Sequence, residues 1–249
     1  MERWTRRTEA LFDGLLGPGE GERVLNLLAG KRVAVVGLGG VGSACAEALC
    51  RCGVGRLLLV DSDAVKESNL NRQLIASRPA LGRPKAEALR ERLLSINPAG
   101  EFEVLTQFIL PENLAPLFDP VPDAVADCID TVTAKLALAE GCAQRGIALV
   151  SSMGTGGRLD PTLLRTGDIA DTAGCGCALS RVMRRELKKR GVERLDVVYS
   201  LEPPVRLTIA KDGENGRHPP TSSPFVPPAA GFALASLAVR RLSGAALRP

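Results

Sequence analysis

Residues 69–85 read NLNRQLIASRPALGRPK, a loop that carries Asn69, Arg72, Gln73 and Lys85. A site that expels pyrophosphate builds negative charge on the departing phosphates. Arg72 and Lys85 are groups that would neutralise it, while Asn69 and Gln73 would orient oxygens. A hydride-transfer site has no such leaving group. The plainer reading of the four side chains is a solvated polar loop. What lies on either side of the loop decides between the two.

Upstream, Gly37-Leu-Gly39-Gly40-Val-Gly42 fits G-x-G-x-x-G. It stands between a short apolar run (KRVAVVG) and an Ala-rich helical stretch over 40–52. Glycines there allow a tight turn and close backbone approach, and the helix start offers N–H groups to phosphate. Asp61 closes RLLLVD, where an acidic residue takes a ribose hydroxyl. The motif alone does not separate NAD from ATP. Downstream, Asp130 ends the predicted strand DAVADCID, on the side of a parallel sheet where ligands bind. There it can hold Mg²⁺ between phosphates. Its other reading is an acidic cap for the helix TVTAKLAL. Asp127 is expected to point elsewhere.

The elements needed to position these groups are legible as an alternation. KRVAVVG, RLLLVD, EFEVL, DAVADCID and IALVSSM read as strands, with helices over 40–52, KAEALRERLLSI and TAKLALAEGCAQR between them. Such alternation over residues 31–152 predicts βαβ units, a Rossmann-like α/β fold with a mostly parallel sheet and helices on both faces. Ahead of it, MERWTRRTEALFDG is read as a polar, Arg-rich start. Beyond about 153, GTGGRLDPT is turn-rich, LLRTGDI and DVVYSLEPP are strands, and ALSRVMRRELKKRG is a helix. Residues 211–228 read as a Gly, Pro and Ser-rich loop, and FVPPAAGFALASLAVRRL as loop followed by a packed terminal helix. With few independent core elements after 153, one domain over 1–249 is expected, with 31–152 as nucleotide-binding core and 153–249 as a substrate-side extension.

Composition agrees with a core-forming chain: 249 residues, 45% apolar, only 3% aromatic, net charge +4. The core must rest on Leu, Val and Ala, and base-stacking platforms for single strands are disfavoured. Seven cysteines without a C-x-x-C pair suit a reducing, cytoplasmic setting and argue against structural zinc. Cys45, Cys50 and Cys52 fall on the 40–52 helix as small apolar residues. Neither a secretory leader nor a bilayer-length apolar stretch is evident, so no membrane partner is expected.

Together GLGGVG, VDSDAV, NLNRQ, GRPK and DCID, in that order and spacing, resemble the ThiF-type superfamily of ubiquitin-activating-enzyme-like adenylyltransferases. The resemblance implies ATP and Mg²⁺. It places Asp61 on the ribose, with Asp63 of VDSDAV among the nucleotide-binding residues, and Asn69, Arg72, Gln73 and Lys85 around the triphosphate. Asp130 would hold Mg²⁺. It also implies a homodimer in which an N-terminal arginine reaches the partner's ATP; Arg7 is the best match, ahead of Arg6 and Arg3.

GTGGRLDPT, CALSRVMRRELKKRG, VVYSLEPP and FVPPAAGFALAS resemble the tRNA threonylcarbamoyladenosine dehydratases within that superfamily. These use ATP to cyclise a threonylcarbamoyl side chain on an adenosine beside the tRNA anticodon. The alternative is adenylation of the C-terminal glycine of a sulfur-carrier or ubiquitin-like protein. A third reading is an NAD-binding oxidoreductase or a nucleotide sensor. Arg181, Arg184, Arg185 and Lys188 fall on one helical face at i, i+3, i+4 and i+7, either as a solvated surface or as tRNA phosphate contacts. Cys175 and Cys177 are expected in a flexible GCGC turn, as loop thiols or as reactive ones. The single histidine, His218, reads as a surface residue.

Overall fold

A computed structural model describes residues 3–205 and 221–244. Its sheet has seven strands: β1 (Arg32–Val36), β2 (Arg56–Val60), β3 (Glu101–Leu105), β4 (Ala124–Asp127), β5 (Ala148–Ser152), β6 (Leu164–Asp168) and β7 (Asp196–Ser200). Their order is β3-β2-β1-β4-β5-β7-β6. All neighbours pair in parallel except β6 with β7. The order in which strands are added to the sheet reverses between β1 and β4, the crevice where open α/β sheets bind ligands. The expected Rossmann-like architecture is present, and the later strands extend the same sheet.

Alternation along the strands builds two faces. Val33 and Val35 of β1, with Leu57 and Leu59 of β2, turn into one apolar cluster, while Ala34, Val36, Leu58 and Val60 turn into the other. The first face is covered by α3 (Gly40–Arg51), α4 (Lys85–Ile96) and α7 (Val226–Ser243), the second by α5 (Val132–Arg145). A third cluster joins α5 to α6 (Ala178–Lys189). Aliphatic side chains dominate these clusters, with Phe12, Phe102, Phe118 and Tyr199 as their aromatics.

Three readings need correction. The polar, Arg-rich start, to which the sequence assigned no element, holds two helices, α1 (Arg6–Leu16) and α2 (Glu20–Gly30), and Phe12, Val24 and Leu28 join the main core. Their apolar residues recur at helical spacing, and the flanking Gly17–Gly19 turn disguised two short helices as a polar lead. Strand β4 stops at Asp127, so Asp130 lies in the loop beyond it. Helix α7 begins at Val226 with prolines in its first turn, where a missing N–H costs nothing.

Helix α7 lies against α3 so closely that a Cβ on Gly231 would come within 2.2 Å of the Val41 carbonyl oxygen. Pro227, at the start of α7, thereby reaches the Gly-rich turn, since a Cβ on Gly40 would lie 2.9 Å from its ring. No described helix is long and apolar enough to cross a membrane.

Candidate nucleotide site

A cavity of about 530 Å³ opens at the C-terminal ends of β1, β2, β4 and β5. Its floor is the turn after β1. Gly37 has φ +84°, a region side chains disfavour, and a Cβ on Gly42 would overlap the Gly37 carbonyl oxygen. Gly37, Gly39 and Gly40 line the cavity, whereas Gly42 sits behind them and lets α3 start against the turn.

Asp61 lines the cavity just beyond β2, and its carboxylate is already in use. Oδ2 accepts from the Leu38 amide at 2.6 Å and Oδ1 from the Asp63 amide at 2.8 Å. It therefore fixes the shape of the Gly-rich turn as well as facing the ligand space. Lys85 opens α4 and is buried, with Nζ 2.7 Å from Asp63 Oδ2 and 3.8 Å from Asp61 Oδ2. A lysine held at the cavity wall by two carboxylates is a charge positioned before any ligand arrives.

The loop of residues 69–73 contributes Asn69, Arg72 and Gln73 to the same wall. Asn69 Oδ1 accepts from the Lys66 amide at 2.9 Å, so its oxygen shapes the loop and only its amide nitrogen can serve a ligand. Arg72 Nη1 rests on the Ser68 carbonyl at 2.8 Å and Asn71 Oδ1 at 2.7 Å, with no carboxylate paired to it among the described residues. Gln73 is buried and its Oε1 has no hydrogen-bond partner among them. Burying an unpaired carbonyl oxygen is unfavourable, so this atom is suited to a donor brought by a ligand.

Asp130 stands exposed at the cavity edge, in the loop from β4 to α5. It does not cap α5: Thr131 holds the N-cap position, without a side-chain bond. Asp127 turns inward, as expected. It is fully buried with Lys135, Nζ to Oδ2 at 2.8 Å, and accepts from Ser151 Oγ at 2.7 Å. Arg7 is exposed on α1 and does not line this cavity.

Sequence reasoning missed several wall segments. Gln107, Phe108 and Ile109 follow β3, and Ser152 to Gly156 run on from the last residue of β5. The rule that ligands sit outside the carboxyl ends of strands would have found both, because each begins where a predicted strand stops. Leu179, Thr221 and Ser222 come from distant parts of the chain and carried no local signal. Cys128, also in the wall, has its thiol pushed up by burial and by the neighbouring Cys45, so it is a neutral apolar surface.

The GCGC segment is not a flexible turn. Cys175 and Cys177 are buried in the cluster between α5 and α6, and Cys177 is the N-cap of α6. Nor do the four cations of α6 form one free stripe. Arg184 is half-buried and bonds Thr172, and Arg185 pairs with Glu186 at 2.9 Å. Lys189, Arg185 and Arg190 together bring the Glu186 carboxyl down to about 2. Arg181 and Lys188 remain exposed. His218 and most of the 211–228 loop lie outside the described residues. Among those residues no group of three or more His, Cys, Asp or Glu is placed to hold a metal ion.

A Gly-rich turn, a ribose-side carboxylate and two cations around one cavity can bind a nucleoside triphosphate and stabilise a departing pyrophosphate. Comparison with known proteins agrees. The tRNA threonylcarbamoyladenosine dehydratase of Bacillus subtilis (strain 168) is 39% identical over 222 residues, 85% of this chain and 87% of that protein. The enzyme of the same name from Escherichia coli (strain K12) is 39% identical over 190 residues, 73% and 70% of the two chains. Among solved structures, the E. coli tRNA N6-threonylcarbamoyladenosine dehydratase in complex with ATP superposes with a TM-score of 0.83. It is 33% identical and matched over 98% of this chain and 96% of that one. Residues 16–246 match the ThiF family, and the chain belongs to it.

Proposed function

We propose that this chain is an ATP-dependent tRNA threonylcarbamoyladenosine dehydratase acting through an acyl-adenylate. The observation that carries the reading is the convergence of Lys85, Arg72 and Asp130 on the Gly37–Gly40 turn in one cavity. Its support is the full-length similarity to dehydratases, one of them solved with ATP.

The triphosphate lies over the Gly-rich turn with its ribose at Asp61, and Asp63, Asn69 and Gln73 complete the nucleotide contacts. Mg²⁺, when bound, neutralises phosphate charge, and Asp130 is the residue that would hold it. Its exposed carboxylate at the cavity edge, with no cation paired to it among the described residues, fits that role. The threonyl carboxylate attacks the α-phosphorus, and the P–O bond to pyrophosphate breaks. Arg72 and Lys85 take up the charge that develops on that leaving group. A nitrogen of the same side chain then attacks the activated carbonyl, losing its proton to solvent, and AMP departs. The net change is loss of water from the side chain, carried off by ATP cleavage. Because the second attack is intramolecular, proximity speeds it.

The chain acts as a single domain and as a homodimer in which Arg7 reaches the partner's ATP. Leu11 and Leu15, exposed on the same helix, favour such a contact. Exposed Arg181 and Lys188 of α6, with Arg184 and Arg185 beside them, meet tRNA phosphates. A tRNA substrate calls for a cytoplasmic setting. The test is the nucleoside composition of tRNA after incubation with ATP and Mg²⁺: the threonylcarbamoyl nucleoside loses one water. An unchanged nucleoside would refute the reading.

A further inference from the structure

Asn71 precedes Arg72 in NLNRQ. It is exposed and does not line the cavity, yet its side chain is engaged at both ends. Oδ1 accepts from Arg72 Nη1 at 2.7 Å, and Nδ2 donates to the Ser222 carbonyl at 3.0 Å. The two bonds fix which way the amide points, since a guanidinium only donates and a carbonyl only accepts. They also fix the residue type. A carboxylate has no donor for Ser222, and an alkyl group serves neither partner. An amide supplies an acceptor and a donor side by side.

Both partners are themselves held. Ser222 lines the cavity. The Thr221 carbonyl before it accepts from the Gly157 amide at 2.7 Å, and the Gly157 carbonyl accepts from the Val205 amide at 2.7 Å. Gly157 continues the β5 rim of Gly154, Thr155 and Gly156, which also lines the cavity. The wall at 221–222 is thus pinned to the side of the cavity opposite the 69–73 loop. Pro227, at the start of α7, meets the Gly-rich turn, and Arg72 enters the same contact: a Cβ on Gly40 would lie 3.5 Å from Arg72 Cγ. The Arg72 stem is therefore set by Gly40, and Nη1 is taken by Ser68 and Asn71. Its Nε and Nη2 keep their donors for a ligand, with no bond among the described residues.

We propose that Asn71 is a positioning residue: anchored on the Ser222 carbonyl, it holds the Arg72 guanidinium so that Nε and Nη2 face the β- and γ-phosphates of ATP. A long, half-buried side chain would otherwise lose its rotamer freedom when the ligand binds, and that cost weakens binding. Here it is met beforehand by one amide. The anchor belongs to the second half of the chain, so the phosphate side of the cavity is complete only with the 221–222 wall in place. Naming the β- and γ-phosphates as the target rests on the proposed adenylation.

The test compares calorimetric affinities for ATP and for AMP, with Mg²⁺ present, in wild type, Asn71→Ala, Asn71→Gln, Arg72→Ala and the double variant Asn71→Ala/Arg72→Ala. Asn71→Ala binds ATP about fivefold more weakly but AMP within about twofold of wild type, because AMP lacks the phosphates that Arg72 meets. Asn71→Gln, which keeps both amide groups, recovers most of the loss. In the Arg72→Ala background, Asn71→Ala has a further effect below about twofold. The proposal is overturned if Asn71→Ala binds ATP as wild type does, or if Asn71→Gln is no better than Asn71→Ala. It is equally overturned if ATP and AMP weaken alike, as a general folding defect would make them, or if the loss is undiminished without Arg72. None of these measurements needs tRNA. If wild type fails to dehydrate tRNA, the proposed function falls while the role of Asn71 is still decided by the two affinities.

Discussion

In the proposed mechanism, Lys85 is the side chain on which the chemistry turns. Buried between Asp61 and Asp63, it cannot swing away, and its charge is available without reorganisation when pyrophosphate leaves. Lys85→Ala should lower ATP–pyrophosphate exchange by about 10²–10³-fold, with the protein still folded, and Arg72→Ala should do the same. Wild-type exchange in either variant would remove that residue from the site. Asp130→Ala should also abolish exchange at ordinary Mg²⁺ while leaving the melting temperature within about 2 °C of wild type, because the side chain is exposed. At this scale much was legible. Residue type alone marked Asn69, Arg72, Gln73 and Lys85 for phosphate, and the cavity brings all four together. What type could not reveal is prior commitment: the Asn69 oxygen is spent on Lys66, and Asp61 braces Leu38.

The elements are locked by a few buried polar groups as much as by apolar faces. Lys135 of α5 is fully buried against Asp127 of β4 and Ser151 of β5. The pair fixes the strand ends from which Asp130 and the β5 rim emerge. Lys135→Met should cost about 3–5 kcal/mol in chemical denaturation by stranding Asp127, and Asp127→Leu added to it should restore part of the loss. Glu47 of α3 holds Arg92 of α4 at 2.6 Å and Arg51 at 2.8 Å. Burial opposes its charge, but the Arg92 and Arg51 bonds prevail and lower its pKa. A lowered folded value means that its stabilisation is complete above the ordinary carboxylate pKa. That stabilisation is lost as pH falls through the folded value. Glu47→Gln should therefore melt lower than wild type at neutral pH, with the gap closing in acid; a gap that widens in acid contradicts the assignment. Periodicity disclosed the strands and most helices, since alternating and 3.6-residue patterns are local. It missed α1 and α2, whose helical spacing is cut short by the Gly17–Gly19 turn and set among charged residues, and it missed the close α3–α7 packing at Gly231, which is a contact between distant segments.

For the whole molecule, the order β3-β2-β1-β4-β5-β7-β6 places the Gly-rich turn and Asp130 on either side of one crevice. The α/β class followed from alternation. The insertion of β7 between β5 and β6 did not, because strand order after residue 153 depends on long connections. The Arg7 proposal is a claim at this scale. Arg7→Ala mixed with Asp130→Ala should recover activity that neither has alone, measured by exchange in the mixture, and no recovery would remove the shared site. The central claim, a site that adenylates a carboxylate on tRNA, has one direct measurement. ATP–pyrophosphate exchange is followed with threonylcarbamoyladenosine-bearing tRNA, with a carrier protein ending in glycine, and with neither, and the tRNA nucleosides are then weighed by mass spectrometry. Exchange with the tRNA alone, accompanied by loss of one water from its modified nucleoside, is the predicted result; exchange only with the carrier protein, or a modified nucleoside of unchanged mass, would contradict it.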